Sequence, residues 1–290
     1  MRGYPLTGEF DRTAPICYFA PCDPRQGMGG GARVAQMLAA LERIGYSINV
    51  ISYDGSGNLA LVDGSLSMQT KLVKLSLPSR IPKLLKVTAV PTLVLLGLLH
   101  VKRNSIVITH SPGIASGFIG LIVSKLKDGH LVVDFTDVKD NDTPKWVHEL
   151  VLRSACIVFT VSRLLEAQAH RLGASTVVYL PTFLDLNRYT RNDQDRNAVR
   201  ESLGISKEDR VVAYFGSFSR VEGLPVLLTA FANLTQDVPK ARLLVVGSRN
   251  VAGADDVDRI VKDLRLHGKV IILPPQPYAT VPMLDRKSVV

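Results

Sequence analysis

The chain has 290 residues, 46% of them hydrophobic and 21% charged, which is enough apolar material for two domains and excludes a disordered protein. An excess of 35 Lys and Arg over 26 Asp and Glu gives a net charge of +9 and favours an anionic partner: a phosphorylated small molecule, an anionic lipid surface or a nucleic acid. Aromatic residues at 6% and the lack of any zinc-finger or RNA-recognition signature argue against nucleic acid, while Cys17, Cys22 and Cys156, widely spaced and without a CxxC pair, argue against a disulfide framework or a structural metal site.

The N-terminal MRGYPLTGEFDRTAP lacks the apolar core of a signal peptide, so the expected compartment is the cytoplasm. Ile16–Ala20 reads as a first strand. Val34, Met37, Leu38, Leu41 and Ile44 then recur at helical spacing, Gly45 supplies the stop, and Ile48–Ile51 resumes as a strand. Gly29, Gly30 and Gly31 belong to the GMGGG run that opens this helix. Their bare amides either hold a phosphate or allow close substrate approach, or the run is a hinge. The spacing is not the GxGxxG of a dinucleotide-binding turn.

Lys71, Lys74, Arg80, Lys83 and Lys86 precede the uncharged run Val87–Leu99, and His100, Lys102 and Arg103 follow it. Thirteen residues interrupted by Pro91 fall short of the roughly 20 that a bilayer requires. The segment Lys71–Arg103 is therefore either a core helix or one that also lies on an anionic membrane surface. Ser105–Thr109 is a strand ending at His110, and Ile114–Leu126 is an apolar helix. Leu131–Phe135 is the next strand, with Thr136 and Asp137 at its exit. Asp134 inside that strand is expected to be buried and to need a partner. Ile157–Val161 is a strand, Ser162 caps the helix Arg163–Leu172, Gly173 ends it, and Val177–Leu180 follows. Repeated strand, helix, strand makes this half a doubly wound α/β domain.

Asn187–Arg210 is polar and highly charged, as expected of a linker with a short helix. Beyond it the scheme repeats with strands Val211–Phe215, Leu243–Val246 and Val270–Leu273 and helices Leu224–Leu234 and Asp255–Leu266. The loop Gly216-Ser217-Phe218-Ser219-Arg220-Val221-Glu222-Gly223 joins a strand's carboxyl end to a helix N-terminus, where ligands of open α/β sheets bind and anions are favoured. It is either a phosphate cradle, with Arg220 as the guanidinium, or a plain βα turn. Three strands and two helices amount to half of a doubly wound domain, so a second chain is expected to complete it, or the sequence is a truncated product.

GMGGGARVAQMLAALERIGYSINVIS, LVVDFTD, ACIVFTVSRLLEAQAHRLG with YLPTFLDLNRY, FGSFSRVEGLPVLLTAFANL and ARLLVVG together resemble, in order, the segments of the group 1 retaining glycosyltransferases of the GT-B fold. The resemblance implies two Rossmann-like doubly wound domains, an acceptor-side domain over 1–185 and a partial nucleotide-sugar donor domain over 186–290. It also implies transfer of a sugar with retention, from a nucleotide-sugar donor to a glycan or lipid-linked acceptor, without a cofactor or metal. Asp137 and Arg220 would be catalytic. Gly29, Gly30, Gly31, Gly216, Ser217, Glu222 and Gly223 would bind the donor.

The chain departs from the family pattern at named places. Ser217 stands where the family has Arg, Glu222 where it has Lys, Thr136 where many members carry His, and Pro181-Thr182-Phe183 where Pro-Asn-Gly is common. The family's paired donor-binding glutamates fall beyond Val290. These departures raise the alternative of a non-catalytic glycosyltransferase-like subunit that partners a complete enzyme.

Overall fold

The computed structural model describes residues 14–20, 29–54, 71–76, 83–137, 143–182, 193–218, 222–249, 255–276, 280, 281 and 284. Two compact units divide the chain, Met1–Leu184 and Asp185–Val290.

Unit 1 is a seven-stranded sheet built from β1 (Ile16–Ala20), β2 (Ile48–Asp54), β3 (Lys71–Ser76), β4 (Ile106–His110), β5 (His130–Phe135), β6 (Ile157–Thr160) and β7 (Val177–Tyr179). All pairings are parallel and the order is β3-β2-β1-β4-β5-β6-β7. Central strands of such a sheet are covered on both faces and read as unbroken apolar runs, as the fully buried ICYFA of β1 does. Side chains alternate between the faces. Tyr18, Ile108 and Val132 pack with Val34, Met37 and Leu38 of helix α1 (Gly29–Arg43). Cys17, Phe19, Val107 and Val133 pack with Leu93, Ile119, Val123 and Val151. The latter come from α2 (Lys83–His100), α3 (Ile119–Leu126) and α4 (Lys145–Ser154). Helix α5 (Arg163–Arg171) follows β6 and starts at Ser162, whose hydroxyl accepts from the Leu165 amide at 3.3 Å.

Helix α1 ends as Gly45 predicts. Gly45 sits at φ +98°, its amide donates to the Glu42 carbonyl, and the Tyr46 amide donates to that of Leu41. The glycines 29–31 open α1 as its first turn, as expected. Two expectations need correction. Lys71–Ser76, read only as a basic segment, is strand β3, which among the described residues pairs with β2 alone and so ends the sheet. Ile114–Leu126 is not one regular α-helix: Ile114–Phe118 is a π-type turn, with the Phe118 amide on the Gly113 carbonyl at 3.0 Å, and α3 starts only at Ile119. Gly117 explains the wide turn, since a Cβ there would stand 2.5 Å from the Pro112 backbone.

Unit 2 carries α6 (Asp193–Ser202) and a three-stranded parallel sheet of β8 (Arg210–Phe215), β9 (Ala241–Val246) and β10 (Val270–Leu273), in the order β10-β9-β8. Helices α7 (Leu224–Asp237) and α8 (Asp255–Asp263) cover one face through Leu228, Phe231, Val257 and Val261. Val211, Leu244 and Val246 face the other side and pack with Ile205 and Leu284.

Candidate active site

In unit 1, strand order reverses around β1, so the crevice of an open α/β sheet falls at the carboxyl ends of β1 and β4. The parallel register sets His110 directly beside Asp134 there. Asp134 is fully buried, and α1 reaches it with Arg33, itself only 5% exposed. The guanidinium is bidentate: Nη2 donates to Oδ1 at 2.7 Å and Nε donates to Oδ2 at 2.9 Å. Arg33 also donates to the carbonyls of Leu180 and Pro181, at 3.2 and 3.4 Å. The Tyr18 hydroxyl donates to Asp134 Oδ2 at 3.3 Å, and His110 Nδ1 stands 3.5 Å from the same oxygen. Burial opposes ionisation of Asp134, but His110 and the Arg33 fork outweigh it and hold the carboxyl below its ordinary value. At 3.5 Å the imidazole makes a loose contact, so Arg33 is the firmer support.

The strand exit beyond His110 is tightly tied. Ser111 takes φ +78° and its amide donates to the Asp134 carbonyl at 2.9 Å. The Ser116 hydroxyl donates to the His110 carbonyl at 2.6 Å. From the neighbouring exit, Thr136 Oγ1 lies 3.2 Å from His110 Nε2. Thr136 is half-buried and Asp137, next to it, is exposed.

In unit 2 the corresponding edge has a floor of backbone. The Gly216 amide donates to the Val246 carbonyl at 3.1 Å and the Phe218 amide donates to that of Ser248 at 3.0 Å. A Cβ on Gly247 would fall 1.6 Å from the Gly216 carbonyl oxygen, so the two exits touch only because residue 247 is glycine. Tyr214 donates its hydroxyl to the Ser217 carbonyl at 2.7 Å, and burial, with Glu222 nearby, pushes that phenol up from its ordinary value. Gly223, at φ +76°, is the N-cap of α7. The Leu227 amide closes on the Gly223 carbonyl and Pro225 has no N–H, so helix geometry leaves Leu224 and Val226 without an intrahelical acceptor.

Of the expected site residues, Gly31, Asp137, Gly216, Ser217, Glu222 and Gly223 lie at the carboxyl edges of their own sheets, and Gly29 and Gly30 lie in the first turn of α1. Arg220 is outside the described residues. The sequence reading left Asp134 without a named partner, and its partner is Arg33. It also passed over Arg249, which follows β9, lies 5.6 Å from the Phe218 ring centre and forks onto Asp258 at 2.5 and 3.0 Å. Only helix α8, which carries Asp258 opposite the β9 exit, could have pointed to it. Among the described residues no group of three or more His, Cys, Asp or Glu is placed to hold a metal ion.

Residues 195–290 match the sequence profile of the family described as "Glycosyl transferases group 1". Unit 2 belongs to the group 1 glycosyltransferases. This glycosyltransferase segment is 33% identical over 88 residues to a putative teichuronic acid biosynthesis glycosyltransferase of Bacillus subtilis. It is 32% identical over 97 residues to a D-inositol 3-phosphate glycosyltransferase of Mycobacterium tuberculosis. These matches span 30% and 32% of this chain but only 22% and 19% of those relatives' lengths. Over the whole chain the fold is GT-B. Sucrose-phosphate synthase from Thermosynechococcus elongatus superposes with a TM-score of 0.77 at 18% identity, over 95% of this chain and 74% of that one. Anabaena HepE, solved in complex with UDP and glucose, gives 0.68 at 16% identity over 94% and 72%.

Proposed function

We propose that the protein acts in the transfer of a sugar, with retention, from a nucleotide-sugar donor to a glycan or lipid-linked acceptor, the donor held by the region 186–290 and the acceptor by 1–185. The observation that carries this reading is the family match over 195–290, which spans the glycine-floored edge formed by Gly216, Ser217, Gly223 and Gly247. A diphosphate needs close backbone approach and donors that are already aimed. Glycine supplies the approach, and the first turn of α7 supplies the amides of Leu224 and Val226. Arg220 is assigned to charge on the departing diphosphate and Asp137 to the reacting centre, so the chemistry rests on positioning and fixed dipoles.

One feature favours a second reading, a binding subunit without turnover. Glu222 is exposed and immediately precedes the N-cap of α7. There it complements the helix dipole that a diphosphate would otherwise meet, and it repels the diphosphate itself. Calorimetric titration of the 290-residue chain with UDP-glucose, GDP-mannose and NAD tests both readings. Binding of one nucleotide-sugar and no binding of NAD is expected, and Glu222→Lys tightens the nucleotide by about tenfold, or about 1.4 kcal/mol. Release of free nucleotide in the presence of an acceptor distinguishes the enzyme from the binding subunit. Binding of NAD, or of no nucleotide-sugar, overturns both.

We further propose that unit 1 docks on an anionic membrane surface. No helix among the described residues is long and apolar enough to cross a membrane. What supports docking is a patch where α2 and α3 end together. Leu95, Leu99 and Leu126 are 57%, 69% and 60% exposed, and Lys102 and Lys125, near the same helix ends, are exposed and Lys127 partly so. The Asn104 amide donates to the Lys127 carbonyl at 2.9 Å, which ties the two helix ends into one surface.

A further inference from the structure

His110, Asp134 and Thr136 are three separate features of the sequence: a histidine at a strand exit, an acid inside an apolar strand, and a threonine at that strand's own exit. In the fold they are consecutive members of one contact chain.

The polarity of that chain follows from charge and burial. Asp134 is ionised and accepts only. Its charge is already matched by the bidentate Arg33, so an imidazolium at His110 would add an uncompensated buried charge. A neutral imidazole with one proton fits this surrounding without adding that charge. Nδ1 is buried, has no other hydrogen-bond partner and faces Asp134 Oδ2 at 3.5 Å. A bare lone pair there would oppose a carboxylate, so the proton belongs on Nδ1. The remaining groups around the carboxylate, Arg33 and Tyr18, are both donors to Asp134 and leave this assignment unchanged. Nε2 is then an acceptor, and its neighbour at 3.2 Å, Thr136 Oγ1, has one hydrogen to give it. With that hydrogen spent, the hydroxyl of half-buried Thr136 offers the crevice only lone pairs.

We propose that Asp134, His110 and Thr136 form a relay of fixed polarity whose outlet, Thr136 Oγ1, accepts a hydrogen bond from an acceptor hydroxyl and disfavours an anionic oxygen, making Thr136 a specificity-determining residue for a polyol. Its ligand class rests on the glycosyltransferase reading, but the relay can be tested without nucleotide.

The experiment is nitrogen-15 NMR of the His110 imidazole in the full chain at pH 7.5. The probes are glucose, N-acetylglucosamine and myo-inositol at up to 100 mM, with inorganic phosphate as the anionic comparison. Expected are a neutral Nδ1–H tautomer and an Nε2 resonance that moves with at least one polyol and not with phosphate. Thr136→Val abolishes the response and weakens that polyol by about fivefold, the worth of one hydrogen bond, while Thr136→Ser restores it. Finding His110 as the Nε2–H tautomer or as imidazolium overturns the relay. So does an Nε2 response to phosphate alone, or no response to any polyol. Failure of the nucleotide titration with the polyol response intact overturns the donor assignment and leaves the relay standing.

Discussion

Arg33 and Asp134 show how one pair can carry a strand exit. Both are desolvated, so removing either leaves the other as a buried, uncompensated charge. Arg33→Met is expected to destabilise unit 1 by about 3–5 kcal/mol, and adding Asp134→Leu to recover much of that loss; urea unfolding of the two variants checks it. The same carboxylate sets an acid limit. Because Asp134 is held below its ordinary value, the unfolded chain binds more protons than the folded one in the interval between the two values. The stabilisation is full above about pH 4, the unfolded carboxylate value, and is lost as pH falls through the folded one. Urea midpoints measured from pH 6 down to pH 2.5 are expected to drop for the native chain, and Asp134→Asn to flatten that drop. By contrast, burial pushes the Cys17 thiol up to about 12, which keeps it an inert part of the core.

Two glycines at the carboxyl edge of the unit 2 sheet differ in what they cost to replace. Gly223 needs only its left-handed backbone, since a Cβ there meets nothing within 4 Å. Gly247 needs its missing side chain, since the clash would be with backbone that cannot yield. Gly223→Ala is expected to cost about 1 kcal/mol and Gly247→Ala about 3 kcal/mol or more, read from the thermal unfolding of unit 2. Most elements could be read from sequence because their cause is local: the apolar run of β1, Ser162 as a cap, Gly45 and Gly173 as stops. Strand β3 escaped because KLVKLS is stabilised by its neighbour β2, with lysines that a propensity reading assigns to solvent. The π-type turn at Ile114 escaped because its cause, Gly117 against the Pro112 backbone, is a contact and not a pattern. For the site, residues bound to backbone geometry, such as Gly216 and Gly223, could be located. The Arg33–Asp134 pair could not, because the partners are 101 positions apart and only the sheet order brings them together.

At the scale of the molecule, the net charge of +9 acts through its distribution. Arg103 is spent on Asp128 at 3.0 Å, whereas Lys102 and Lys125 are exposed near the C-terminal ends of α2 and α3, which also carry the exposed leucines. Sedimentation with phosphatidylglycerol vesicles, against phosphatidylcholine vesicles as the neutral comparison, tests the proposed docking. Binding is expected only to the anionic vesicles and is expected to weaken with salt. It should fall about fivefold for each of Lys102 and Lys125 neutralised, and be lost in Leu99→Glu with Leu126→Glu. Equal binding to both vesicles, or no change in these variants, removes the support for docking.

The reach of Arg33 also bears on how the polypeptide is made. Its guanidinium holds a carboxylate 101 residues later and a carbonyl 147 residues later. A nascent chain that has emerged only as far as β4 therefore has α1 but no counter-ion for the arginine on its inward side. The apolar face of α1 can already settle on β1, β2 and β4 through Tyr18, Val50 and Ile108, but Arg33 is neutralised only when β5 arrives, and its last tie waits for Leu180. A ribosome paused before residue 134 would therefore hold a helix packed by its apolar side with its arginine still lacking a counter-ion, and the pair adds its stability late in translation.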